Sequence, residues 1–223
     1  MAAIKKETLQ FLKDLKKHND RDWFAKHKTR YEDAYTDWQR FTGELIAGIS
    51  KFDKHIAAAK FSPKDCVFRI YRDIRFSKDK TPYKTHFASE FSTKKGKWQV
   101  PGYYIHVETS GGFMGGGAYM LQSEQLQALR EELSLNGTKF KNIIADKKFK
   151  KYFELEGDKL VNVPRSFAKD DPMAEYLKHK DLLALHKVTE KEVLSPKFVQ
   201  HCVDAFKVMQ PFIQFIERPV TNP

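Results

Sequence analysis

His86, His106 and Glu108 are the side chains in this sequence with which a proton could be moved, and they lie close to its densest run of cations. Between Lys60 and Lys97 there are eleven Lys and Arg against four Asp and Glu, so this stretch alone carries +7 of a formal charge of +11. Three of the nine arginines fall at 69, 72 and 75. A planar guanidinium can bond two oxygens of one phosphate or carboxylate, so Arg at this density points to an anionic ligand. Spacing limits the arrangement: Arg69 and Arg75 stand ~20 Å apart along an extended strand and do not grip one phosphate together. Arg75 with Lys78, Lys80 or Lys84 fits better, because the chain folds back at the intervening turn. The candidate ligand-binding set is therefore Arg69, Arg72, Arg75, Lys78, Lys80 and Lys84, with Tyr71, Tyr104 and the glycine-rich backbone at Gly116. The competing reading is a solvated basic sheet face with local ion pairs to Asp73 and Asp79.

Strands must position these groups. If Val67 to Phe76 is extended, Phe68, Ile70, Ile74 and Phe76 share one face and Arg69, Tyr71, Asp73 and Arg75 the other. Arg72 falls among the apolar set, so it must reach a partner, a ligand or water, or a bulge must re-aim it. SKDK (77–80) reads as a turn, and Thr81 before Pro82 leads out of it extended. Thr85 to Thr93 alternates again, placing Phe87 and Phe91 opposite His86, Ala88 and Glu90. After a turn at Lys94, Lys95 and Gly96, a third strand at Tyr103 to Thr109 separates Tyr103, Ile105 and Val107 from Tyr104, His106 and Glu108. Parity gathers two imidazoles and several carboxylates on one polar face, suited to acid and base roles or to a divalent ion. No spacing enforces a metal site, and none is assigned. Exposed cross-strand His and Glu pairs explain the same pattern without chemistry.

Helices flank this sheet. Ile4, Thr8, Phe11, Leu12 and Leu15 predict an amphipathic helix over 4–17. Asp20 is an N-cap for a second helical stretch running to Ile49, with Phe24, Tyr31, Trp38, Phe41 and Leu45 on its buried stripe. SGGFMGGG (110–117) must be a turn or a backbone that another group approaches closely, weighed as a tight turn or bulge against a ligand loop whose amides meet an anion, and it leads to a helix capped by Ser123. Short helices over 137–153, a hairpin over Tyr152 to Val163, a helical piece at Tyr176 to Lys180 and a strand at Leu182 to Val188 follow. Ser195 and Pro196 open a last helix, which Pro211 should kink.

The resulting expectation is an α+β fold in which an antiparallel meander packs against N-terminal and C-terminal helices. One domain over 1–223 is favoured: helical over about 4–52, sheet over about 65–120 and mixed over about 121–218. Cys66 and Cys202 lack CxxC or zinc spacing and read as reduced thiols. No apolar run approaches the ~18 residues of a membrane span and the N-terminus lacks the pattern of a signal peptide, so a cytoplasmic protein without a membrane partner is expected. No cofactor motif appears: the glycine run is neither GxGxxG nor a P-loop.

RIYRDIRFSKDKTPYKTHF (69–87) resembles the signature of a mainly bacterial and fungal domain-of-unknown-function family. The similarity extends to HNDRDWFAKHK, to GYYIHVE followed by GGGAYM, and to VPRSF and DDPMAEYLKHKDL, nearly the whole chain. It implies a single domain and supplies no reaction, cofactor or catalytic set. The functional expectation thus rests on the residues: binding, or binding with turnover, of a phosphorylated or carboxylated small molecule, with His86, His106 and Glu108 as the chemical groups. The alternative is a non-catalytic module for nucleic acid or an acidic protein, for which basic charge and interleaved aromatics are present but no recognition motif is.

Overall fold

At Asp20 the carboxylate accepts the Trp23 N–H at 2.8 Å, capping a helix as its residue type dictates. A computed structural model describes residues 3–92 and 100–221. Helices α1 (Lys6–Lys17), α2 (Arg21–Lys26) and α3 (Lys28–Ile49) follow the expected N-terminal stripes, with α2 and α3 separated at His27. Two short helices that no periodicity announced, α4 (Lys54–Ala59) and α5 (Pro63–Cys66), lead to strands β1 (His86–Ser92), β2 (Gly102–Glu108) and β3 (Gly111–Ala118). Then come α6 (Ser123–Leu135), α7 (Gly137–Ala145), α8 (Lys147–Tyr152), β4 (Glu154–Glu156), α9 (Ala174–Leu177), β5 (Leu182–Thr189), α10 (Glu190–Val193) and α11 (Phe198–Thr221). The five strands form one antiparallel sheet in the order β1-β2-β3-β5-β4, with helices at both ends of the chain, an α+β fold. No helix among the described residues is long and apolar enough to cross a membrane.

The chain divides into two compact units of discontinuous segments, and β1, β2, β3, β5 and α11 each supply residues to both. In the unit made of Met1–Phe91, Tyr104–Met114 and Lys187–Asp204, the core stripe of α3 carries Trp38, Phe41, Leu45 and Ile49. Trp38 stacks on Phe87 of β1 at 5.8 Å, and Phe41 on Phe198 at 5.5 Å. Three polar side chains buried beside it are paired: Trp38 Nε1 donates to Ser89 Oγ at 3.0 Å, and Ser89 and Thr42 hydroxyls lie 2.8 Å apart. Buried Asp37 accepts from the Lys5 N–H, from Thr8 and from Arg40. The other unit comprises Ser92–Tyr103, Gly115–His186 and Ala205–Pro223. Phe140 and Phe149 pack on Phe212 there at 6.2 and 5.6 Å, and the largely buried Arg130 donates to the carbonyls of Leu177 and His179. Cys66 and Cys202 are buried free thiols.

Several expectations are corrected. Val67 to Phe76 is not a strand: it makes only isolated bridges, Val67 to Ser89 and Tyr71 to Tyr83. Asp73 and Asp79 accept the N–H groups of Arg75 and Thr81, and such local bonds compete with a ladder. Phe76, expected on the apolar face, is 96% exposed. Of the alternatives for the glycine-rich run, turn and loop are overturned and the closely approached backbone holds: from Gly111 onward the run is β3. A Cβ at Gly111, where φ is +126°, would sit 2.1 Å from the Val188 carbonyl oxygen, and one at Gly116 would sit 2.3 Å from that of Gly102. Missing side chains let the neighbouring strands close on β3. The hairpin expected over Tyr152 to Val163 does not form; β4 pairs instead with β5, Leu155 opposite Ala184. Gln122 rather than Ser123 caps α6. The turn placed at Lys94, Lys95 and Gly96 lies outside the described residues.

Candidate functional site

The site is assembled on an irregular arm clamped to the first unit. Asn19, between α1 and α2, donates its side-chain amide to the Tyr83 carbonyl at 2.9 Å and accepts the Tyr83 N–H at 3.1 Å. Phe24 stacks on the Tyr83 ring at 4.0 Å, so this aromatic of α2 is core and not a free platform. Across the arm, Lys84 N–H donates to Ile70 O at 2.7 Å and Arg72 N–H to Pro82 O at 2.9 Å. Phe68 N–H bonds to Ala88 O at 3.0 Å, which lays the arm along β1. The Asn19 segment and the Arg69-to-Phe87 segment, far apart in sequence, thus fix the backbone on either side of Lys84.

On β1 and β2, strand alternation turns His86, Tyr104 and His106 away from the helix-covered face that holds Phe87 and Ser89. The His86 and His106 rings stack with centroids 4.1 Å apart, and Phe113 of β3 continues the column at 4.7 Å from His106. Tyr104 flanks it, its hydroxyl 3.4 Å from His106 Nδ1 and its ring 6.1 Å from that of Phe68. Burial pushes the His86 imidazole down to about 3, helped by the charges of His106 and Lys84. Burial lowers His106 too, against the opposing pull of Glu108. Both rings are therefore neutral near pH 7, able to accept a proton or a hydrogen bond. Glu90, on the same face of β1, has its carboxyl raised by burial to about 7.

Lys84 completes this group. Its half-buried ammonium lies 5.2 Å from the Phe68 ring centroid and makes no hydrogen bond or ion pair among the described residues. Burial lowers its affinity for a proton, and the charge of Arg69 lowers it further. Arg69 is exposed and likewise makes no hydrogen bond there. The other expected cations are engaged locally or open to solvent. Arg72 bonds to Asp79 and Thr81, resolving its misfit within an alternating strand. Arg75 pairs with Asp73 at 2.7 Å, and Lys80 Nζ donates to Ile74 O at 3.0 Å. The two guanidiniums hold Asp79 and Asp73 each down to about 2. Lys78 is exposed, and Tyr71 is 51% exposed beside Tyr83.

Glu108 sits at the end of β2 with Ser110 Oγ 3.5 Å away. Gly116 belongs to the second unit, where Met209 and Ile213 approach its backbone, so it serves packing. Sequence reasoning missed Phe113 and the role of Phe68 here; the signal for Phe113 was an aromatic interrupting a glycine run. No cluster of three or more His, Cys, Asp or Glu among the described residues could hold a metal ion.

No curated protein matches the chain. A family model does, over residues 7–215, and by that match the chain belongs to the conserved hypothetical protein family DUF2461.

Proposed function

We propose that the protein binds a small anionic ligand, a phosphorylated or carboxylated metabolite, where Lys84 and Arg69 adjoin the His86–His106 pair. One observation carries this reading: Lys84 is a half-buried cation with a second cation nearby and no carboxylate partner among the described residues. Such an arrangement is costly unless an anion completes it. An anion held there would meet neutral imidazoles, hydrogen-bonding groups that do not add to the charge already present. Turnover of a bound ligand would fall to His106 as a general base, with Tyr104 orienting it through its hydroxyl, while His86, pushed further down by burial, would accept a hydrogen bond. Arg72 and Arg75, satisfied by Asp79 and Asp73, stand outside the proposed ligand set.

A thermal-shift titration with inorganic phosphate tests the proposal. Saturable stabilisation of the wild type is expected, lost in Lys84→Met, weakened in Arg69→Ala and retained in Arg75→Ala. An equal response from Lys84→Met and the wild type would end the proposal. The second reading, a nucleic-acid or acidic-protein module, is favoured by Phe76, fully open to solvent with the Arg75 guanidinium 5.9 Å from its ring. Oligonucleotide binding that falls steeply with salt and is lost in Phe76→Ala would support it instead.

A further inference from the structure

Within the second unit, α7, the start of α8 and the middle of α11 enclose an open groove of about 1010 Å³. Its floor is apolar: Phe149 is buried, Ile143 and Val208 are half-buried, and Leu135 at the end of α6 is 81% exposed. Lys139, Lys148 and Lys207 line it, and none makes an ion pair or side-chain hydrogen bond among the described residues. The single carboxylate of the lining, Asp146, is committed to capping α8, accepting the N–H groups of Lys148 and Phe149 at 2.8 and 3.1 Å. An apolar floor open to water, edged by cations with no counter-charge, asks for an occupant carrying both apolar and anionic groups.

We infer that this groove docks an acidic amphipathic peptide segment of a partner protein, its apolar side chains on Leu135, Ile143 and Phe149 and its carboxylates on Lys139, Lys148 and Lys207. The volume lies at the upper end of small-molecule pockets, about 300–1,000 Å³, and the site is a groove, which suits a chain segment over a metabolite. A second copy of this chain would bring the same basic rim against itself, so charge disfavours self-association there. The inference is independent of the Lys84 site, which belongs to the other unit.

Fluorescence anisotropy with a labelled Glu/Leu amphipathic peptide of about twelve residues tests it on the full chain. Saturable binding is expected for the wild type and, unchanged, for Lys84→Met. The triple variant Lys139→Glu, Lys148→Glu, Lys207→Glu should bind roughly tenfold more weakly, the loss expected when three cations at a rim are reversed. Leu135→Asp, at a position too exposed to matter for folding, should weaken binding without shifting the thermal midpoint. Binding unaltered by both variants overturns the inference. So does equal affinity for polyglutamate lacking leucine, or a preference for dodecanoate or an oligonucleotide over the peptide.

Discussion

Glu90 and His86 stand four residues apart on one strand, and burial drives their titrations in opposite directions, Glu90 up to about 7 and His86 down to about 3. For Glu90 the ordinary value is 4.5, so between there and 7 the folded state holds a proton that the unfolded chain has released. That contribution to stability is complete below 4.5 and is lost as pH rises through 7. For His86 the unfolded chain takes up a proton below 6.5 while the folded state does not until about 3, so its contribution fades as pH falls across that window. Glu90→Gln removes the first effect alone. It should raise the unfolding free energy at about pH 8 by on the order of 3 kcal/mol, and leave stability at about pH 4 unchanged. An equal gain at both pH values would trace the effect to packing and not to the carboxylate. At this scale the alternation of His86, Glu90, Tyr104, His106 and Glu108 was legible in the sequence, because period-two parity holds wherever a strand is regular. Local ion pairs to Asp73 and Asp79 were legible as the competing reading; which arginine meets which was not, since Asp79 reaches Arg72 only because the backbone between them folds back.

Among the elements, the irregular arm between Cys66 and His86 shows how propensity and tertiary context divide the work. Its β-branched and aromatic residues suit a strand, and two bridges record that tendency. Asp73 and Asp79 bind nearby N–H groups instead, and the arm is held by bonds from outside it, those of Asn19 to the Tyr83 backbone. Asn19→Ala strips both partners from a part-buried peptide group. A loss of about 1–3 kcal/mol in chemical denaturation is expected, together with a weaker phosphate response as Lys84 loses its register. Unchanged phosphate stabilisation in Asn19→Ala would separate the arm from the site. The glycine run illustrates the opposite case. Read locally it is a turn or a closely approached backbone, and β3 is the second, because the Val188 and Gly102 carbonyls approach where side chains would stand. Only knowledge of the neighbouring strands distinguishes the two.

Across the whole molecule, a formal charge of +11 acts against compaction, since like charges repel in the folded state more than in the expanded one. Among the described residues, ion pairs such as Arg75–Asp73 and Lys28–Glu32 are exposed on both sides and individually weak, so self-repulsion should dominate the response to salt. Raising sodium chloride from ~0.01 to ~0.5 M should therefore raise the thermal midpoint of the ligand-free protein while diminishing the added stabilisation from phosphate. A midpoint that falls with salt would mean that ion pairs outweigh the surplus. The sequence by itself determined the α+β class, the helical stripes at both ends, the buried and open faces of β1 and β2, and the basic character of 60–97. Those are consequences of residue type and short-range periodicity. Tertiary structure decided which cations remain without partners, that Phe113 joins the imidazole pair while Phe68 meets Tyr104 and Lys84, that glycines build a strand, and that lysines from α7, α8 and α11 edge one groove. Each depends on residues distant in sequence coming within a few ångströms, and no local pattern encodes that separation.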